Sequence, residues 1–135
     1  MTPAQLSAIH AAAFEGSRGW NAAEFATLLD NPHCTLLDEP DDGFALCRTI
    51  AGETELLTIA VRPAAQGKGI GRALMHLWAK HASACDAFLE VAGDNKSAIG
   101  LYISCGFAEV ARRVGYYARS NGPSVDAIVM RRSFP

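Results

Sequence analysis

Nothing in this 135-residue chain is long and apolar enough to span a bilayer. The longest apolar stretch, Leu56-Leu57-Thr58-Ile59-Ala60-Val61, is six residues including a threonine, against about 20 for a membrane helix. Residues 1–14 have neither the charged start nor the apolar core of a signal peptide, so a cytoplasmic protein without membrane contact is expected. Cys34, Cys47, Cys85 and Cys105 form no Cys-x-x-Cys pair, and Cys47 and Cys85 lie among apolar residues. Buried free thiols are therefore expected rather than disulfides or zinc ligands. His76 and His81 are five apart, not the four that would stack them on one helix face for a metal, and no metal site is expected. A large charge excess is also missing. Twelve basic and 14 acidic residues give a net charge of −2, which argues against nucleic acid as the main ligand and leaves a basic protein partner open. Repeats, linkers and low-complexity segments are absent. A composition 50% apolar and 19% charged then fits one globular domain over residues 1–135.

What is present centres on Val61-Arg62-Pro63-Ala64-Ala65-Gln66-Gly67-Lys68-Gly69-Ile70-Gly71-Arg72. An apolar strand runs into a glycine loop that opens a helix, because Ile70, Ala73, Leu74, Leu77 and Trp78 recur at helical spacing and make one apolar face. The first amides of such a helix have no intrahelical acceptor and converge on an anion. Glycines let a ligand approach the backbone, and Lys68 and Arg72 add cationic side chains. A P-loop needs Ser or Thr after Gly-Lys, and here Gly69 follows Lys68. A dinucleotide loop needs Gly-x-Gly-x-x-Gly, and here the third glycine, Gly71, comes one residue early.

The elements fall in the order helix, helix, strand, strand, strand, helix, strand, helix, strand, strand. Thr2-Pro3-Ala4-Gln5 and Asn21-Ala22-Ala23-Glu24 are capping boxes for helices over about 3–14 and 22–29. Strands are expected near 33–37, 43–50 and 54–61. The glycine-loop helix runs to near Ala84, and the strand at 86–91 must pair parallel to 54–61 through a right-handed crossover. A helix at about 95–104 and strands near 107–117 and 125–131, joined by Ser120-Asn121-Gly122-Pro123, complete the chain.

Gln66-x-x-Gly69-x-Gly71 resembles the pyrophosphate loop of the GNAT family of acetyl-CoA-dependent N-acetyltransferases. Phe88-Leu89-Glu90-Val91, Asp94-Asn95, Leu101-Tyr102 and Gly106-Phe107 follow in the order of the same family. Arg112-Arg113-Val114-Gly115-Tyr116-Tyr117 and Asp126-Ala127-Ile128-Val129-Met130 resemble its RimI-type branch of ribosomal-protein-alanine N-acetyltransferases. The resemblance implies an α+β fold, a mixed central sheet with helices on both faces. The family's first edge strand is expected to be missing, since only Met1 precedes the cap at Thr2. It further implies acetyl-CoA as co-substrate, held by the backbone of Ile59, Ala60 and Val61, by Gln66, Gly67, Lys68, Gly69, Ile70, Gly71 and Arg72, and by Asn95. Glu90 is implied as the general base and Tyr102 as the proton donor to the leaving thiolate. Trp20, Tyr116, Tyr117 and Arg119 are expected along an acceptor groove, and the acceptor is expected to be the α-amino group of a protein N-terminus, that of a ribosomal protein beginning with alanine. Glu90 interrupts the apolar Ala87-Phe88-Leu89-Glu90-Val91-Ala92, so it is expected buried, with its carboxylate penalised by desolvation. Ordinary readings stand beside these: Tyr102 as a packing residue, Trp20 as a hydrophobic staple. Two other functions stay open, acetylation of a small-molecule amine and a catalytically silent acetyl-CoA-binding protein.

Overall fold

Reciprocal caps start the first two helices. Thr2 and Gln5 exchange backbone-to-side-chain hydrogen bonds of 2.7 and 3.2 Å at the head of α1 (Pro3–Ala13), and Asn21 and Glu24 do the same at 3.2 and 2.9 Å for α2 (Ala22–Asp30). Each pair satisfies two donors that a helix start would leave free. The computed structural model describes residues 1–14 and 20–135. The remaining elements are β1 (Cys34–Glu39), β2 (Gly43–Ile50), β3 (Glu53–Val61), α3 (Ile70–His81), β4 (Asp86–Ala92), α4 (Lys96–Ser104), β5 (Ala108–Tyr117) and β6 (Val125–Ser133).

The strands form one sheet in the order β1-β2-β3-β4-β6-β5, antiparallel except for β3 with β4. That parallel pair is joined through α3, as a crossover requires. Alternation along β2 separates two cores. Phe44 and Leu46 pack with Leu6 of α1 and Phe25 of α2, while Ala45 and Cys47 pack with Leu74, Met75 and Trp78 of α3. The sheet is therefore covered by α1 and α2 on one face and by α3 and α4 on the other, an α+β arrangement. The Trp78 indole donates to Thr54 Oγ1 at 2.8 Å, which satisfies the polar end of a fully buried ring.

Two irregularities shape the functional end. Leu46 pairs with Thr58 but Cys47 pairs with Leu56, leaving Leu57 as an extra residue. This bulge lets Leu56 and Ile59 face the same core, and it bends β3. β3 and β4 pair at Glu53–Asp86, Thr54–Ala87 and Glu55–Phe88 and part beyond these. The chain also departs from the sequence expectations at a 3-10 turn, Pro63–Ala65, ahead of the glycine loop, and at the end of α3. That helix stops at His81 with Ala82 as its cap, and Ala84 beyond it takes a left-handed conformation (φ 66°) and donates its N–H to Pro135 O at 2.9 Å. β1 and β5 are the sheet edges, β1 half-buried and β5 exposed along almost all its length.

Candidate active site

The carboxyl ends of β3 and β4 lie side by side, and each is followed by a loop that starts a helix. After β3, Gln66 Nε2 donates to Val61 O at 3.0 Å and closes the loop on itself. Gly67 and Gly69 then take φ of 78° and 83°, the left-handed region that a side chain disfavours, and Gly69 is the residue that caps α3. A Cβ on either glycine would meet nothing within 4 Å, so the loop opens onto free space. The N–H groups of Ile70, Gly71 and Arg72 precede the first bond of the helix, from Ala73 N–H to Gly69 O at 3.0 Å, and are available to an anion. Gly71 has a separate reason to lack a side chain: its Cβ would lie 3.1 Å from Leu101 Cδ2, so glycine lets α3 rest against α4. Arg72 donates to Ser104 Oγ at 2.8 Å. Lys68 is exposed and makes no ion pair among the described residues.

Ile59 and Val61 pack their side chains on the α3 core, and Ala60 packs on the α1–α2 core. Their backbone edge toward β4 carries no ladder with it. After β4, the Asn95 side chain accepts from Ala98 N–H at 3.2 Å and caps α4. Tyr102 on that helix is 5% exposed. Burial, with a smaller contribution from Cys105, pushes its phenol up to about 12, so the hydroxyl keeps its proton at neutral pH. Complete transfer of that proton to a thiolate of ordinary pKa, about 8.5, is then uphill. The group is better suited to donating a hydrogen bond than to full protonation.

Glu90 corrects the expectation of a buried base. Its side chain is 29% exposed, two residues beyond the last pairing of β3 with β4. Its partners come from β5. Tyr117 donates its hydroxyl to Glu90 Oε1 at 3.1 Å, and Arg113 Nε lies 3.7 Å from Oε2. Burial and the Glu90 charge push the Tyr117 phenol up to about 12, which keeps it a donor. A bulge makes both contacts possible: Arg113 pairs with Ala127 and Tyr117 with Val125, so β5 is two residues longer than β6 there. Gly115 absorbs the bend at φ 61° and donates its N–H to Asp126 Oδ1 at 3.0 Å.

The other groove candidates are placed unequally. Tyr116 is 54% exposed, packs edge-on to Tyr117 with centroids 5.1 Å apart, and carries the Arg113 guanidinium 5.1 Å from its ring centre. Arg119 is bonded to both Asp94 oxygens at 2.8 and 2.9 Å and lies 5.8 Å above Tyr117. That hydrogen-bonded guanidinium holds the Asp94 carboxyl below the usual range. The pair ties the loop before α4 to the end of β5. Trp20 packs against the α1–α2 core: its ring stacks on His10 at 5.3 Å and sits 5.5 Å from Phe25, and its backbone N–H donates to His10 Nδ1 at 3.3 Å. Reading the sequence missed Arg113 and Asp94 as members of this network. Both stood within the motifs Asp94-Asn95 and Arg112-Arg113, but nothing local linked them to their partners, which are 25 and 23 residues away. Behind α4, a cleft of about 450 Å³ is lined by Ile99, Ile103, Phe107, Ile128 and Met130 among others. Neither Glu90 nor the glycine loop lines it.

Among known families, the acetyltransferase (GNAT) family matches residues 5–107. An uncharacterized protein of Mycobacterium leprae is 36% identical over 98% of this chain, which spans 39% of that protein's length. The N-alpha-acetyltransferase RimI of Mycobacterium tuberculosis is 37% identical over 92% of this chain and 82% of its own. The crystal structure of the ribosomal-protein-S18-alanine N-acetyltransferase from Escherichia coli superposes with a TM-score of 0.85 at 29% identity, covering 96% of this chain and 86% of that one.

Proposed function

This chain belongs to the acetyltransferase (GNAT) family, and from that premise we propose that it transfers acetyl from acetyl-CoA to the α-amino group of a protein N-terminus. The acceptor class is a ribosomal protein beginning with alanine, on the strength of the relatives named above, and such an acceptor would put the reaction in the cytoplasm. No helix among the described residues is long and apolar enough to cross a membrane.

The observation that carries this reading is Glu90, a part-exposed carboxylate held by Tyr117 and Arg113 beyond the parting of β3 and β4, at the strand end where the glycine loop also opens. The N–H groups of residues 70–72, with Lys68 beside them, suit the pyrophosphate, and the unpaired edge of Ile59, Ala60 and Val61 suits the pantetheine arm. Acetyl-CoA supplies the thioester. Glu90 takes the proton of the attacking ammonium, directly or through water. Tyr102 donates a hydrogen bond as the thiolate leaves, and Asn95 holds the start of its helix. Tyr116 and Tyr117 flank the entering acceptor. An α-amine titrates near 7.7–8.0 against about 10.4 for lysine, so a base of this kind has less to do at an N-terminus.

Acetyl transfer to a panel of peptides differing in their first residues, with the modified atom located by mass spectrometry, tests the reading. Transfer to the α-amine of an alanine-first peptide is expected. Turnover of a polyamine or amino sugar far above every peptide would replace it with the small-amine activity.

A further inference from the structure

The two oxygens of Glu90 are held in different ways. Oε1 accepts a hydrogen bond from the Tyr117 hydroxyl at 3.1 Å. Oε2 has Arg113 Nε at 3.7 Å, too far for a hydrogen bond. Glu90 pairs with Val129 of β6 and Arg113 with Ala127, so the guanidinium reaches Glu90 across the whole of the intervening strand. It is 57% exposed, and its other contact among the described residues is the open face of Tyr116. The neighbouring arginines are fixed more firmly. Arg112 bonds Glu109 twice and Asp126 once, and Arg119 bonds both oxygens of Asp94. Arg113 is thus the arginine of this region that leaves its carboxylate at least cost, as a loose, solvated ion pair does.

Building on the acceptor reading above, we infer that Arg113 is a place-holder cation and a specificity-determining residue for the acceptor. Its guanidinium stands at Oε2, the oxygen that receives the acceptor's ammonium. Tyr117 keeps hold of Oε1, so the carboxylate does not turn when the guanidinium leaves. One cation replaces another, and the charge at Glu90 stays compensated until the ammonium gives up its proton to Oε2. Acceptors without a positive charge cannot make the exchange. After transfer the acceptor nitrogen is a neutral amide; once Glu90 has passed its proton to solvent and is a carboxylate again, the guanidinium meets no competitor at Oε2, and its return favours product release.

The test is calorimetric titration of CoA-loaded protein with an alanine-first peptide, where no transfer can occur. Arg113→Ala is expected to tighten binding by about two- to fivefold, the range for an exposed ion pair, and Arg113→Lys, which keeps a cation, to stay near wild type. The gain should vanish in a Glu90→Gln background and for a peptide already acetylated at its N-terminus. In steady state the acceptor KM should fall with a smaller change in kcat. Weaker or unchanged binding in Arg113→Ala, or the same gain without the Glu90 charge, overturns the inference. Arg113 lies on an exposed edge strand, and a thermal melt confirms that the variants are folded. Should the wild-type protein acetylate only a small amine, the N-terminal reading fails, and the same titrations with that amine still decide the role of Arg113.

Discussion

The two walls of this site are made of different materials. The wall after β3 is backbone: amides at the head of α3, two left-handed glycines and the unpaired edge of a bent strand. The wall beyond β4 is side chains, with Glu90, Arg113, Tyr117, Arg119 and Asp94 linked by contacts that join two separated stretches, residues 90–94 and 113–119. A backbone wall is fixed by the fold and indifferent to most substitutions, which suits a cofactor that every member of a family shares. A side-chain wall can be retuned residue by residue, which suits an acceptor that differs between members. Substitutions on the second wall should therefore change rate and acceptor choice, and substitutions on the first should change acetyl-CoA affinity.

The largest separation is expected at Glu90. Glu90→Gln keeps the shape and the Tyr117 contact but removes the base, so kcat at neutral pH should fall by roughly 10²–10⁴ while acetyl-CoA affinity holds. Activity should recover toward high pH, where the amine loses its proton to solvent. A Glu90→Gln protein with wild-type turnover at pH 7 would take Glu90 out of the reaction, and a parallel loss of acetyl-CoA binding would mean that the two walls are not independent.

Tyr102, a buried side chain of α4, sharpens the contrast. Removing one hydrogen bond to a developing charge, worth about 1.5–3 kcal/mol, should slow Tyr102→Phe by roughly 10–10². Unlike Glu90→Gln, it should show no recovery at high pH, because the leaving thiolate still lacks its donor. With its phenol at about 12, Tyr102 should add no alkaline limb to the wild-type rate below about pH 11. The same shift has a consequence for stability. A phenol whose folded pKa is raised above its ordinary value of 10 stabilises the fold fully below pH 10, and loses that contribution as pH rises toward 12. Thermal melts should show an alkaline decline over that window that is smaller in Tyr102→Phe. Equal declines in both proteins would place the titrating group elsewhere, Tyr117 and Cys47 being the others raised to about 12 and 11.

This difference in material also decides how much could be read from the sequence. Capping boxes, the 3.6-residue periodicity of α3 and the glycine spacing are local signals, and they located the helices and the first wall. Trp20 shows the limit of locality. Its aromatic character near a loop suggests a groove, but it packs on His10 and Phe25 against the α1–α2 core. Glu90 shows another limit, since an isolated charge in an apolar strand reads as buried unless the bulge at Leu57 is known. That bulge exists only in the pairing of β2 with β3. The Arg119–Asp94 and Arg113–Glu90 pairs depend on how β5 is bent over β6, which no short stretch of residues encodes.

On the backbone wall, Gly69→Val forces a β-branched residue into a left-handed conformation that costs roughly 1–2 kcal/mol and fills the space in front of the helix amides. Acetyl-CoA affinity should fall about tenfold or more in a folded protein. Gly71→Val differs, because its side chain would strike Leu101 Cδ2. It should lower the melting temperature, and so it cannot report on the ligand alone. Unchanged affinity in folded Gly69→Val would move the anion site away from this loop.

The smallest effect is expected at Lys68, and it tests whether the first wall is backbone in energy as well as in geometry. The Lys68 side chain is exposed, so its attraction for a phosphate is screened over about 10 Å at 0.1 M salt and over about 30 Å at 0.01 M. Lys68→Ala should weaken acetyl-CoA binding by about two- to fivefold at low ionic strength, within the range of an exposed charge pair, and hardly at all at high salt. The amides of residues 70–72 remain in place in that variant and should retain most of the affinity. A loss above about tenfold that persists at 1 M salt, where screening acts within about 3 Å, would mean that a side chain holds the phosphate here. Acetyl-CoA would then be gripped on both walls by the same means, and the contrast between them would fail.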